Sequence, residues 1–329
     1  MRSDEDTGPK KHGEASSAGA PPAAMRFMVT GEETGRTLAS VIRARGWATT
    51  WNEARRLVER GKVRVDGEDK SDPALRLGER QFVELRIHAP RPRVTPPGRV
   101  VHDDPQVVVF DKPTGYSSVP YELRETDTAM DLIRGHWRAE GRRATEVPLH
   151  VVHRIDKETS GLIVFAKSRL AERVLSAAFR THAVERTYVC VAHGQVQDQR
   201  IESQLVEDRG DGLRGSTREP HRGKRAVTWV RAREVLGTVA TVCEVQLETG
   251  KTHQIRIHLA ERRHPVVGEK VYIRDFLHHG GTPLESPRLL LHAATLGFVH
   301  PTTGMHIQFE SPLPSEFVEV VESLRRKRR

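Results

Sequence analysis

Between residues 100 and 324 the chain passes through strand-like runs in quick succession: QVVVFDKP, GLIVFAKS, RTYVCVAHG, AVTWVRAREV, TVATVCEVQLET and TGMHIQFESP. Helical segments are fewer. LAERVLSAAFRTH repeats Leu170, Val174, Leu175 and Ala178 at helical spacing, and SEFVEVVESLRR follows the last strand. A doubly wound parallel sheet needs a crossover between successive strands, usually a helix, and here strands often follow one another directly. The pattern predicts an α+β domain built on a mixed, mainly antiparallel central sheet with flanking helices and loops. Ahead of it, APRPRVTPPGR carries prolines at 90, 92, 96 and 97. Proline supplies no backbone donor, so residues 89–99 fit neither a helix nor a central strand and are expected to form a semi-rigid linker.

Residues 27–88 read as a separate small α/β unit. TLASVIRARG places Leu38, Val41 and Ile42 at helical spacing and stops at Gly46; WNEARRLVERG does the same with Ala54, Leu57 and Val58 and stops at Gly61. KVRVDGEDK then alternates Val63 and Val65 up to an Asp66-Gly67 hairpin turn, and LRLGERQFVELRI adds another turn and strand. Arg43, Arg45, Arg55, Arg56, Arg60 and Lys62 fall on the outward side of the two helices. On a generic helix such charges are a solvated face. The order helix, helix, basic turn, hairpin, carried by ARRLVERGKVRVDG, resembles the RNA-binding module named after ribosomal small-subunit protein four, with Ala39 where that module often has an acidic residue. The resemblance makes Arg55, Arg56 and Lys62 RNA contacts.

Composition bounds the rest. Residues 1–26 lack the continuous apolar stretch of a secretory signal and read as a disordered leader. The last five residues, RRKRR (325–329), read as a basic tail. No apolar run approaches the roughly 18 residues of a membrane span. Lysine and arginine exceed acidic residues 53 to 44, a net charge of +9 that favours a polyanionic partner such as nucleic acid. The two cysteines, Cys190 and Cys243, each lie in an apolar run and read as buried free thiols, which fits a reducing cytoplasm.

The most charged fragment is HRIDKETSGLIVFAK, residues 153–167. Asp156 sits between His153, Arg154 and Lys157, and Thr159, Ser160 and Gly161 favour a turn leading into the buried strand LIVFA. An aspartate there could simply close the turn or pair with Arg154; it could also be a carboxylate held at the mouth of a rigid sheet. LETGKTHQIRIHLAERRHP, residues 247–265, breaks at Gly250 and then reads as helix, with Thr252 as its cap and Pro265 as its stop. On that helix Gln254 and His258 share one side and Arg256 projects apart. GKT is no phosphate-binding loop, because the glycine that motif requires five positions before Gly250 is Val245. His253, His258 and His264 do not share a helical face, so no metal site is expected.

Together these fragments resemble the pseudouridine synthases of the RluA type. HRIDKETSGLIVFAK is similar to the family's HRLD-x-x-TSGL-x-x-FAK segment, FDKPTG to its DKP-x-G segment, and RTYVCVAHG to the strand carrying its active-site tyrosine. LETGKTHQIRIHL and HPVVGEKVY resemble its TGR-x-HQIR-x-H and HP-x-x-GD-x-x-Y segments, in the family's order. LLLHAATLGFVHPTTG and FESPLP are similar to its C-terminal pattern. Lys251 stands where arginine is usual, Glu269 where aspartate is usual, and YSSVP lacks a histidine common after DKP-x-G.

The resemblance implies an isomerase that turns uridine in RNA into pseudouridine. Asp156 would be the catalytic carboxylate, Arg256 its ionic partner, and Tyr188 the ring that stacks on the extruded base. Arg154 would take the place of the displaced uridine, and Lys157 would contact phosphate. Substrate and product have the same atoms, so no cofactor or metal is implied. The implied partner is RNA, ribosomal rather than transfer RNA, with no membrane, for a cytoplasmic monomer. Two rivals are a non-catalytic RNA-binding or ribosome-assembly protein, which would have lost one of Asp156, Tyr188 or Arg256, and an aspartyl phosphatase, which wants an aspartate where Glu158 stands.

Overall fold

The computed structural model describes residues 25–87, 96–120, 127–144, 146–219 and 221–327. Most of the expected leader and linker, and the last two residues of the tail, lie outside them. The chain divides into two compact units, Met1–Val94 and Thr95–Arg329.

In the first unit, β1 (Met25–Met28) precedes α1 (Leu38–Ala44), α2 (Trp51–Glu59), β2 (Val63–Val65), β3 (Glu68–Lys70) and β4 (Phe82–Leu85). The sheet order is β1-β4-β2-β3. Thr37 and Thr50 cap the two helices by accepting the N–H groups of Ser40 and Glu53. The spacing read from the sequence gives the core: Leu38, Val41, Ile42, Ala54, Val58, Val63 and Val65 are all buried. Arg43, Arg45, Arg55, Arg56 and Arg60 are exposed, whereas Lys62 is half-buried. The leader is shorter than expected, because Met25 and Arg26 already pair with Leu85 and Glu84.

The second unit runs β5 (Arg99–Asp103), β6 (Val107–Lys112), α3 (Ala129–Ala139), β7 (His150–Val151), β8 (Ser160–Ala166), α4 (Arg169–Arg180), β9 (Glu185–His193), β10 (Gln199–Val206), β11 (Gly215–Thr217), β12 (Lys224–Leu236), β13 (Ala240–Leu247), α5 (Gln254–Glu261), α6 (Arg274–His278), β14 (Leu291–Val299), β15 (His306–Glu310) and α7 (Ser315–Lys327). Its sheet has the order β11-β10-β12-β13-β9-β14-β8-β6-β5, with β15 on β14 and β7 on β8. Among the described residues β14 and β8 pair in parallel and the other neighbours are antiparallel. This is the mixed, mainly antiparallel α+β sheet expected. Cys190 and Cys243 face each other across β9 and β13, buried and free. No helix among the described residues is long and apolar enough to cross a membrane.

Several local expectations change. Arg99 belongs to β5, so the linker ends earlier. In α4 the buried positions are Ala171 and Leu175, while Leu170 and Val174 are exposed. Residues 208–224 contain β11, and Asp211 there pairs with both Arg209 and Arg274. The tail is helical to Lys327, and Arg325 pairs with Glu234 and Glu322.

One row of the sheet positions the chemistry. Ala293 of β14 pairs with Gly161 of β8 on one side and Tyr188 of β9 on the other. Gly161 has φ +106°, and a Cβ there would lie 2.2 Å from the Ala293 carbonyl oxygen. Any side chain must push β8 away from β14 while also straining the backbone. Gly161→Ala is therefore expected to destabilise the second unit by about 3 kcal/mol or more, read as a fall in the denaturant midpoint at unchanged m-value; an unaltered midpoint would contradict this packing.

Candidate active site

Asp156 lies in the loop between β7 and β8, and the loop after β6 clamps its backbone. Ser118 Oγ donates to the Ile155 carbonyl at 2.7 Å and accepts the Ile155 N–H at 3.1 Å. Thr114 Oγ1 donates to the Glu158 carbonyl at 2.7 Å, and the Gly115 N–H to that of Lys157 at 2.9 Å. Lys112 is fully buried, and its Nζ donates to the carbonyls of Tyr116, Pro113 and Lys157. Burial pulls its pKa down to about 7, against the opposing charge of Asp156. The Ile155 side chain joins the apolar cluster around Trp137 and Ile163. Asp156 is thus flanked by a buried anchor and a hydrogen-bonded frame, with its own carboxylate 21% exposed.

His153 braces the same loop. Its Nε2 accepts the Val164 N–H at 3.1 Å and its ring stacks on Phe179 at 4.3 Å. Burial, with the nearby charge of Arg186, lowers its pKa to about 3, so it stays neutral.

Arg256 comes from α5, whose start differs from expectation. Thr252 does not cap the helix; His253 occupies the cap position in the left-handed region, φ +58°. Gln254 secures the turn, its Oε1 accepting Thr249 Oγ1–H and the Lys251 N–H and its amide donating to the Val227 carbonyl and Thr228 Oγ1. The far end closes before Pro265, with Arg263 left-handed and the His264 N–H reaching back to Leu259. Gln254 and His258 both contact Thr228, which leaves Arg256 on another side, as the spacing required.

The guanidinium of Arg256 is 3% exposed and forks onto Glu269, Nε–H and Nη2–H each donating at 2.8 Å. Glu269 Oε1 also accepts the N–H groups of Lys270, Val271 and Tyr272. Burial alone would raise Glu269, but the Arg256 bonds and charge and those amides outweigh it and hold its pKa below the usual carboxylate value. The third nitrogen, Nη1, faces the cleft, 3.7 Å from Asp156 Oδ2 and 3.5 Å from Glu158 Oε2. His253 lies opposite, Nε2 4.0 Å from Asp156 Oδ1 and Nδ1 2.7 Å from the Tyr272 hydroxyl.

Asp156, Arg256, Tyr188, Arg154 and Lys157 all line one cleft of about 790 Å³. Tyr188 is 8% exposed, and burial pushes its phenol up to about 12, so the ring is neutral. Arg154 and Lys157 stand exposed at the mouth. Arg55, Arg56 and Lys62 belong to the first unit. No cluster of metal-ligating side chains occurs among the described residues. Sequence reasoning missed Glu269 as the holder of Arg256, noting it only as a departure. The signal available was electrostatic: an arginine set between Ile255 and Ile257 on a helix that packs into the core needs a buried carboxylate.

A family model described as RNA pseudouridylate synthase matches residues 106–261. The uncharacterized RNA pseudouridine synthase YhcT of Bacillus subtilis is 34% identical over 251 residues, covering 74% of this chain and 78% of its own. The ribosomal large subunit pseudouridine synthase D of Zymomonas mobilis is 32% identical over 254 residues, covering 74% and 80%. The solved structure of human RNA pseudouridylate synthase domain containing 4 shares the fold with a TM-score of 0.53 at 23% identity, over 69% of this chain and 92% of that one. The chain belongs to the RluA-type RNA pseudouridine synthase family, whose reaction isomerises uridine to pseudouridine.

Two outcomes follow from this geometry. Glu269→Gln removes the charge that balances a buried guanidinium, so stability should fall by about 3 kcal/mol and turnover at least about tenfold, while Glu269→Asp keeps the charge and most of the activity. Equal turnover for the glutamine variant and the parent would remove Glu269 from the machinery. The second outcome concerns pH. His153 and His258 are neutral in the fold, held near 3 and 4, whereas an unfolded histidine binds a proton below about 6.5. Their contribution is complete above about pH 6.5 and is lost as pH falls towards those depressed values. Urea melts at about pH 7.5 and about pH 5 should differ by roughly 1–2 kcal/mol for each histidine, and His153→Asn should flatten the dependence.

Proposed function

We propose that this chain isomerises uridines in structured ribosomal RNA, acting as a cytoplasmic monomer, with Asp156 as the catalytic carboxylate. Residues 27–88 are the RNA-binding module, contacting phosphates through Arg55, Arg56 and Lys62, and residues 100–324 are the catalytic domain. The net charge of +9 and relatives named for the ribosomal large subunit support that substrate. The single observation that carries the reading is the convergence of Asp156, Arg256 and Tyr188, from three separate elements, on one cleft.

The chemistry breaks the bond from ribose to the base nitrogen, turns the freed uracil and rejoins it to the ribose through carbon 5. A uridine within a helix cannot meet Asp156, so it must leave its stack, at a cost of a few kcal/mol. Tyr188 offers the extracted base an aromatic face, and Arg154 at the mouth fills the vacated place. Arg256, always protonated and fixed by Glu269, supports the negative charge of Asp156 without competing for its proton chemistry. The rest of the reaction is positioning, which the clamped loop supplies.

Asp156→Asn keeps the shape and loses the carboxylate. Pseudouridine mapping on ribosomal RNA, treated with parent or variant protein, should show isomerisation abolished while RNA affinity stays within a few-fold. Full turnover by the variant would overturn the assignment.

A further inference from the structure

Arg186, on β9 two residues before Tyr188, is a cation without an anion. Its guanidinium is half-buried in the cleft wall, and its Nε has no hydrogen-bond partner. Nη2 makes one long contact, 3.4 Å to the Leu247 carbonyl, and the group lies 5.6 Å over the Phe179 ring. No ion pair to a described carboxylate holds it, in contrast to Arg256, which is surrounded by three. Gly250 presses against it so closely that a Cβ there would sit 2.6 Å from Nη1. Lys251 follows Gly250 and lines the same cleft, its ammonium without a described partner.

A desolvated guanidinium with an orphan donor is costly. A fold that keeps one beside its reactive residues holds a seat for an anion that arrives with the substrate. We propose that Arg186 and Lys251 form a phosphodiester-binding site that grips the RNA backbone next to the extracted nucleotide. The inference rests on the reading of this cleft as the RNA-isomerising site and adds a contact to it. Burial lowers the pKa of Arg186, as expected for a cation awaiting a counter-charge. A planar fork suits two phosphate oxygens, and Phe179 and Gly250 leave the guanidinium little room to swing away.

The test compares parent, Arg186→Gln and Arg186→Lys on an RNA hairpin that the parent isomerises. The glutamine variant should raise KM about 10-fold or more, with the larger share of the loss on KM rather than kcat. It should also lower the magnitude of the salt slope of binding by about 0.7, one single-strand phosphate contact. The lysine variant should recover most of the affinity. A purely structural arginine predicts the opposite pattern: a lower melting temperature for Arg186→Gln with an unchanged salt slope. Here the glutamine variant should melt no lower than the parent, because an unpaired buried charge has gone. Inorganic phosphate, compared with chloride at equal ionic strength, should raise the melting temperature of the parent more than that of the variant. An unchanged KM and slope in Arg186→Gln, with the parent active, overturns this site alone. A parent that isomerises no RNA, but whose Arg186-dependent stabilisation by phosphate persists, overturns the reading of the cleft and leaves an anion site.

Discussion

The fork between Arg256 and Glu269 is the interaction on which the reactive geometry rests. Two of the three guanidinium nitrogens donate to Glu269, which is itself tied to three consecutive amides of the next loop. The remaining nitrogen can then point only where the helix aims it, towards Asp156 and Glu158. At 3.7 and 3.5 Å these are charge contacts at or beyond the limit of a hydrogen bond. Asp156 is therefore supported by a nearby charge without being locked into a pair, which leaves its oxygens available to a substrate. A direct short salt bridge would have to be broken before any chemistry.

Charge balance explains the buried lysine. Glu269, Asp156 and Glu158 surround one arginine, and Lys112, its pKa pulled down to about 7, supplies a second cation beneath the loop when it is protonated. Among the described residues its amino group reaches no carboxylate oxygen; three carbonyls receive it. Lys112 fastens the backbone on either side of the cleft floor and, in its protonated form, adds positive charge near Asp156. The sheet does the remaining positioning. β14 separates the strand that follows Asp156 from the strand that carries Tyr188, and the close approach at Gly161 sets the spacing between them. Ile155 and Tyr188 belong to different apolar clusters, so the cleft lies on a seam between two packed cores and each wall is fixed by its own.

The fragments that line the cleft were legible because their chemistry is local: a charged turn feeding an apolar strand, and a polar turn feeding a helix. Elements whose character depends on distant packing were not. Helix α3 went unread because Gly135 interrupts AMDLIRGHWRA, and glycine costs a helix about 1 kcal/mol. The structure gives the reason for it, since a Cβ there would meet Pro96 at 2.7 Å. In α4 the spacing locates half of the buried stripe, since Leu175 and Ala178 pack on the core with Ala171 while Leu170 and Val174 lie at its exposed border. Thr252 looked like a cap by residue type, yet the turn is closed by Gln254 through contacts to Val227 and Thr228 on another strand. No local rule could anticipate that bond.

The same distinction separates the two kinds of arginine in the cleft. Arg256 is buried with its partner present, so its energy is settled within the fold, and substituting either member leaves an uncompensated charge. Arg186 is only partly buried and its partner is missing, so folding alone leaves part of its desolvation cost unmet. A fold retains such a group when something outside the chain completes it. RNA differs from most ligands in bringing a regularly spaced anion with every base it presents. On the proposed function, extracting one uridine would carry a phosphate to the cleft wall in the same movement that brings the base to Tyr188. The attraction proposed at Arg186 would then offset part of the unstacking cost at the moment it is incurred, converting binding energy remote from the reacting atoms into position at Asp156.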